Sequence, residues 1–128
     1  MEKSGKRILV LDDDPDIGVM LKMMLEFKGY TAIVTERAES ARKVIYSEPV
    51  DLIILDMLLS GVNGTEICVA LKKDIVTAPI PIIMISAHPN AKELCEEAGA
   101  DSFISKPFDM HDMLATIDNL LEVESKKI

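Results

Sequence analysis

Five short apolar runs recur along the chain, each followed by a longer amphipathic stretch, and this alternation predicts five strand–helix units. The short runs are Ile8 to Leu11, Ala32 to Val34, Leu52 to Leu55, Ile80 to Ile85 (interrupted by Pro81) and Ser102 to Ile104. Three of them are almost uniformly apolar, the pattern of strands covered by helices on both faces. The first helix is predicted from Pro15 to Lys28. There Ile17, Met20, Leu21, Met24 and Leu25 fall at i, i+3, i+4, i+7 and i+8, and Gly29 marks the end. Met20, Met23 and Met24 are read as core filler. The second helix, around Glu36 to Tyr46, puts Ala38, Ala41, Val44 and Ile45 on one face, with Thr35 as its expected cap. The third opens at Asn63, which forms a capping-box pattern with Glu66. The fourth runs roughly from Pro89 to Ala98 and stops at Gly99. The fifth opens at Asp109 and repeats Leu114, Ile117 and Leu121 on a buried face.

Length narrows the architecture. With 128 residues, the chain is expected to be one domain (1–128, core about 6–124) with no room for a second folded module. A closed eight-fold barrel would need about 250 residues. What remains is an α/β fold, an open doubly wound parallel sheet of five strands with five helices on its two sides.

Composition and charge change the picture in three ways. A formal charge of −8 disfavours contact with a phosphate backbone, which needs clustered Lys and Arg, so no direct nucleic-acid partner is expected. No apolar run approaches the roughly 20 residues of a membrane span, and the apolar stretch after the basic N-terminus is too short for a secretory signal. Cys68 and Cys95 are distant in sequence and form no Cys-x-x-Cys pair, which predicts buried reduced thiols and a cytoplasmic setting.

In an open α/β sheet, ligands bind beyond the carboxyl ends of the strands. The residues that follow the apolar runs are Asp12 and Asp13 after the first, Asp56 after the third, Ser86 after the fourth and Lys106 after the fifth. Three carboxylates, a hydroxyl and an ammonium are thus predicted on one rim. Carboxylates about 5 Å apart repel by roughly 3 kcal/mol per pair at an effective dielectric of about 20, so the three need a cation or must take up protons. Mg²⁺ suits such an all-oxygen site with an open face. Aspartate can act as a nucleophile toward phosphorus, a transfer that depends mainly on positioning and charge neutralisation. Asp14 and Asp16, by contrast, read as solvated caps of the first helix. His88 and His111 read as solvated side chains rather than metal ligands.

Asp12-Asp13, Asp56, Ser86-Ala87 and Lys106-Pro107-Phe108 together resemble the signature of response regulator receiver domains, over nearly the whole chain. The resemblance implies a flavodoxin-like fold with strand order 2-1-3-4-5, another receiver being a standard example of that order. It implies Asp56 as phosphoacceptor, with Mg²⁺ held by Asp13, Asp56 and the Leu58 backbone carbonyl, and by Asp12 through water. Ser86 and Lys106 would contact the phosphoryl oxygens. It further implies a switch through Ser86 and Phe103, tuning of phosphoryl lifetime by the residues at Leu58 and His88, and a cis Lys106–Pro107 peptide. Ser60 departs from the pattern, since receivers usually carry Pro there.

The implied partners are a histidine kinase or phosphotransfer protein and a downstream protein docking on the fourth helix, fifth strand and fifth helix, with homodimerisation on activation left open. On this reading the chain is no enzyme beyond its own phosphorylation and dephosphorylation. Two rivals stand beside it. One is a Mg²⁺-dependent phosphatase with an aspartate nucleophile, faintly cued by Asp12-x-Asp14 but lacking a late acidic pair. The other is a pseudo-receiver, whose usual cue, loss of an acidic residue or the Lys, is absent.

Overall fold

The computed structural model describes residues 6–59 and 61–125, with side chains as far as residue 122. Ser60, the expected departure from the receiver pattern, lies outside the described residues. The chain alternates β1 (Arg7–Leu11), α1 (Pro15–Phe27), β2 (Thr31–Thr35), α2 (Ala38–Ser47), β3 (Leu52–Asp56), α3 (Gly64–Lys73), β4 (Ile82–Ser86), α4 (Ala91–Glu97), β5 (Ser102–Ser105) and α5 (Met110–Ser125). Between β3 and α3, Leu58–Leu59 and Val62–Asn63 form a two-residue antiparallel pair. All neighbours in the main sheet are parallel, in the order β2-β1-β3-β4-β5, as expected for a flavodoxin-like fold.

Two apolar layers sandwich the sheet. Leu21 and Leu25 of α1 and Met113, Ile117 and Leu121 of α5 pack on one face with Ile8, Val10, Ile54 and Ile83. On the other, Ala41 of α2, Cys68 and Leu71 of α3, and Cys95 of α4 meet Leu9, Leu11, Ile53, Leu55 and Met84. Alternate residues of β1, β3 and β4 therefore serve opposite layers, which is why the runs Ile8 to Leu11, Leu52 to Leu55 and Ile82 to Ile85 carry no polar position. Both cysteines are buried free thiols, and burial pushes both thiols above their ordinary pKa.

Several local expectations need correction. Thr35 does not cap α2. It is the last residue of β2, its hydroxyl donates to the Val10 carbonyl at 3.1 Å, and the residue before the helix is Arg37, which makes no side-chain capping bond. The fourth strand begins at Ile82 rather than Ile80, because Pro81 has no N–H for the ladder; its carbonyl still accepts from the Ile53 N–H at 3.0 Å. α4 starts at Ala91 rather than Pro89. Met23 is 67% exposed and Met20 37%, so the apolar stripe of α1 is wider than the face it buries. Asn63 does cap α3, accepting from the Thr65 N–H at 2.9 Å.

Candidate functional site

β1 and β3 are adjacent and parallel, so their carboxyl ends deliver Asp12 and Asp56 to the same rim. Each carboxylate is oriented locally. The Asp12 N–H donates to the Thr35 carbonyl at 3.1 Å, continuing the strand pairing for one more step, and Asp12 Oδ1 accepts from the Asp14 N–H at 2.9 Å. Asp14 in turn accepts from the Asp16 N–H at 3.0 Å, the cap predicted for it. Asp56 Oδ1 accepts from the Leu58 N–H at 3.2 Å.

Sequence reasoning passed over Gly64. Its N–H donates to the Met57 carbonyl at 2.6 Å, and a Cβ built on it would lie 2.2 Å from the Asp56 carbonyl oxygen and 2.9 Å from Met57 Cα. Only glycine lets α3 begin this close to the chain carrying Asp56. A glycine directly after a capping Asn was the available signal.

The predicted acidic cluster is assembled. Carboxylate oxygens of Asp12, Asp13 and Asp56 all lie within 4.8 Å of one another. Asp12 is fully buried, Asp56 is 5% exposed and Asp13 is half-buried. Lys106 Nζ sits 3.2 Å from Asp12 Oδ2 and 3.1 Å from Asp56 Oδ2. The approach to Asp56 is a hydrogen bond. The approach to Asp12 is an ion pair without hydrogen-bond alignment, which leaves the buried Oδ2 with no directed donor.

Burial, then the charge of Asp12, raises the Asp56 pKa above the ordinary carboxylate value, against the opposing pull of Lys106 and the Leu58 N–H. Burial disfavours the Lys106 ammonium, but Asp12 and Asp56 outweigh it and its pKa is raised. Among the described residues, Lys106 is shared by the two buried carboxylates with Asp13 beside them, and the buried Asp12 Oδ2 lacks a directed donor. This all-oxygen donor set fits a hard divalent cation.

The remaining predicted residues differ in where they sit and what they contact. Ser86, at the end of β4, is buried and its Oγ accepts from the His88 N–H at 3.0 Å. His88 is exposed, and its Nδ1 accepts from the Asn90 N–H at 3.1 Å. Leu58 is 54% exposed. Phe103, on β5, is half-buried against the layer that contains α4. The Lys106–Pro107 peptide is cis, and His111 is exposed.

An acidic cluster and a lysine thus stand together at the carboxyl rim of a doubly wound parallel sheet. Comparison with known proteins specifies this arrangement further: residues 8–118 match the model of the response regulator receiver domain, and the chain belongs to that family. It is 38% identical to the phosphate regulon transcriptional regulatory protein PhoB of Pseudomonas aeruginosa, over 91% of this chain and 52% of that protein. The chain thus spans about half the length of the curated relatives it matches. Among solved structures, a CheY-like response regulator receiver domain protein from Methanospirillum hungatei superposes with a TM-score of 0.88 at 30% identity, covering 96% of this chain and 98% of that one. The receiver domain of sensor histidine kinase PA1611 from Pseudomonas aeruginosa, described with a magnesium ion coordinated in its active site cleft, gives 0.84 at 21% identity, covering 93% and 99%.

Proposed function

We propose that Asp56 is the residue that accepts the phosphoryl group, that Mg²⁺ is the cation of the Asp12, Asp13 and Asp56 cluster, and that the donor is a phosphohistidine on a histidine kinase or phosphotransfer protein. The supporting observation is the meeting of three carboxylates and Lys106 at the ends of β1, β3 and β5. An Asp56 carboxylate oxygen attacks phosphorus, and the P–N bond breaks with its electron pair going to the imidazole nitrogen. When bound, Mg²⁺ supplies charge neutralisation for the phosphoryl oxygens and the carboxylates together. Asp13, Asp56 and the Leu58 backbone carbonyl would hold it directly, and Asp12 through water. Lys106 pairs with Asp12 and Asp56 at rest, offsetting part of their charge, and offers its ammonium to the phosphoryl group. The Ser86 hydroxyl, which accepts from the His88 N–H, keeps its own proton to donate to a phosphoryl oxygen. That bond, made in only one state, biases the domain toward an active form in which Phe103 turns inward.

On this reading residues 6–124 act as one receiver unit in the cytoplasm, catalysing only their own phosphorylation and dephosphorylation. Output passes by protein contact through α4, β5 and α5, without direct nucleic-acid contact by this chain, whose formal charge is −8. The exposed apolar Leu58 offers an attacking water no hydrogen bond, so the phosphoryl state is comparatively long-lived; Leu58→Asn should shorten it, and equal lifetimes would contradict this. His88 occupies the second tuning position. The assignment of Asp56 is tested by incubating the protein with Mg²⁺ and acetyl phosphate and recording intact mass. Wild type should gain one phosphoryl group and Asp56→Asn none; an unchanged wild-type mass in folded protein would sink the assignment.

A further inference from the structure

A cavity of about 220 Å³ lies between α2, α3 and the sheet, on the face opposite α1 and α5. Its floor is Leu11, Ile53 and Leu55, all buried. Small side chains keep it open, because Ala41 of α2 and Ala70 of α3 stand where larger residues would close the gap between the helices. Polar groups gather among the remaining lining residues. There the Tyr46 hydroxyl donates to Asp74 Oδ2 at 2.5 Å, with the Arg42 side chain also contributing to the wall. Asp74 is further held by the Val76 N–H at 2.9 Å, and these two donors, Tyr46 first, lower its pKa.

The cavity opens to solvent beside the exposed Arg42, Tyr46 and Ala70, and an apolar floor beneath a few polar groups is the form of a small-molecule site. An apolar cavity of about 150 Å³ is enough to take benzene. We infer that the α2–α3 cavity is a binding site for a small, uncharged aromatic molecule of one or two rings, with its ring on Leu11, Ile53 and Leu55 and a polar substituent toward Tyr46 and Asp74. The floor residues Leu11 and Leu55 immediately precede Asp12 and Asp56, so an occupant would press on the two strand ends that carry the acidic cluster. The site is separate from that cluster and does not depend on phosphorylation.

Indole is a suitable probe, having two fused rings and one N–H donor. Titrating it into the ¹³C-methyl-labelled full chain should move the Leu11, Ile53 and Leu55 methyl signals along one saturable curve. Ala70→Leu, a change from one good helix former to another at an exposed helix position, should place a side chain in the gap and weaken binding about tenfold or more, the cost expected for overpacking. Ala41→Leu provides a second filling variant from the opposite helix. Absence of saturable shifts in folded wild type, shifts centred elsewhere, or undiminished affinity in whichever of these variants fold would overturn the inference.

Discussion

Two lysines, one at each edge of the sheet, are about equally buried, with side chains 20% exposed for Lys72 and 18% for Lys106, and both are paired with aspartate. At the amino edge, Lys72 Nζ meets the Ala78 carbonyl at 3.2 Å, the Ile80 carbonyl at 2.8 Å and Asp101 Oδ2 at 2.8 Å. All three ammonium donors are used. Asp101 Oδ2 also accepts from the Ile82 N–H at 2.8 Å, fixing the start of β4. Charge there is balanced and the polar groups are matched. At the carboxyl edge, Lys106 is shared by two aspartates with a third nearby, and a buried oxygen lacks a directed donor. Burial and ion pairing therefore do not distinguish a structural cluster from a functional one. Saturation does: a matched cluster holds loops in place, and an unmatched one retains the capacity to bind.

That contrast can be sharpened from the largest effect downward. Gly64→Ala forces a Cβ to 2.2 Å from the Asp56 carbonyl oxygen, so urea unfolding should show a loss of about 3 kcal/mol or more, with the carboxyl rim distorted. Lys106→Met should leave a folded protein whose phosphorylation by acetyl phosphate is about 100-fold slower, the scale of losing one preorganised electrostatic partner. Lys72→Met should show the reverse pattern, with about 2 kcal/mol less stability in urea and a phosphorylation rate within a few-fold of wild type. A Lys72 variant that phosphorylates as slowly as the Lys106 variant would break the comparison.

Asp12→Asn should have the smallest effect and the opposite sign, raising the stability of metal-free protein by about 1 kcal/mol at pH 7 through relieved repulsion. The pH dependence follows from the same repulsion. The folded state raises the Asp56 pKa, so it binds this proton more tightly than the unfolded chain does. That contribution to stability is complete below the ordinary carboxylate pKa and is lost as pH rises through the raised folded value. Urea unfolding of wild type and Asp56→Asn across this range should show the dependence in wild type and its loss in the variant.

The sheet and the cluster were legible because their signals are local and repeated. Apolar runs ending in Asp12, Asp56, Ser86 and Lys106 specify both a parallel sheet and what stands at its carboxyl ends. Contacts between distant segments were not legible. Lys72 and Asp101 were not singled out, since nothing in sequence shows that a lysine at the end of α3 reaches two loop carbonyls. Gly64 was passed over because its close approach to Asp56 exists only after α3 has docked. Thr35 was misassigned because a hydroxyl that caps a helix and one that bonds to a neighbouring strand look alike in sequence. Met20 and Met23 of α1 were misjudged because helical periodicity identifies a stripe without fixing how much of it is covered.

The central claim is that the carboxyl rim, where Lys106 is shared among clustered carboxylates, retains a capacity to bind a divalent cation that the amino edge does not. An amide ¹H–¹⁵N titration with Mg²⁺ tests it directly. Saturable shifts should centre on Asp12, Asp13, Asp56 and Leu58, leave Lys72 and Asp101 unmoved, and disappear in Asp13→Ala. Shifts spread evenly over the acidic surface, or equal at the two edges, would contradict the account.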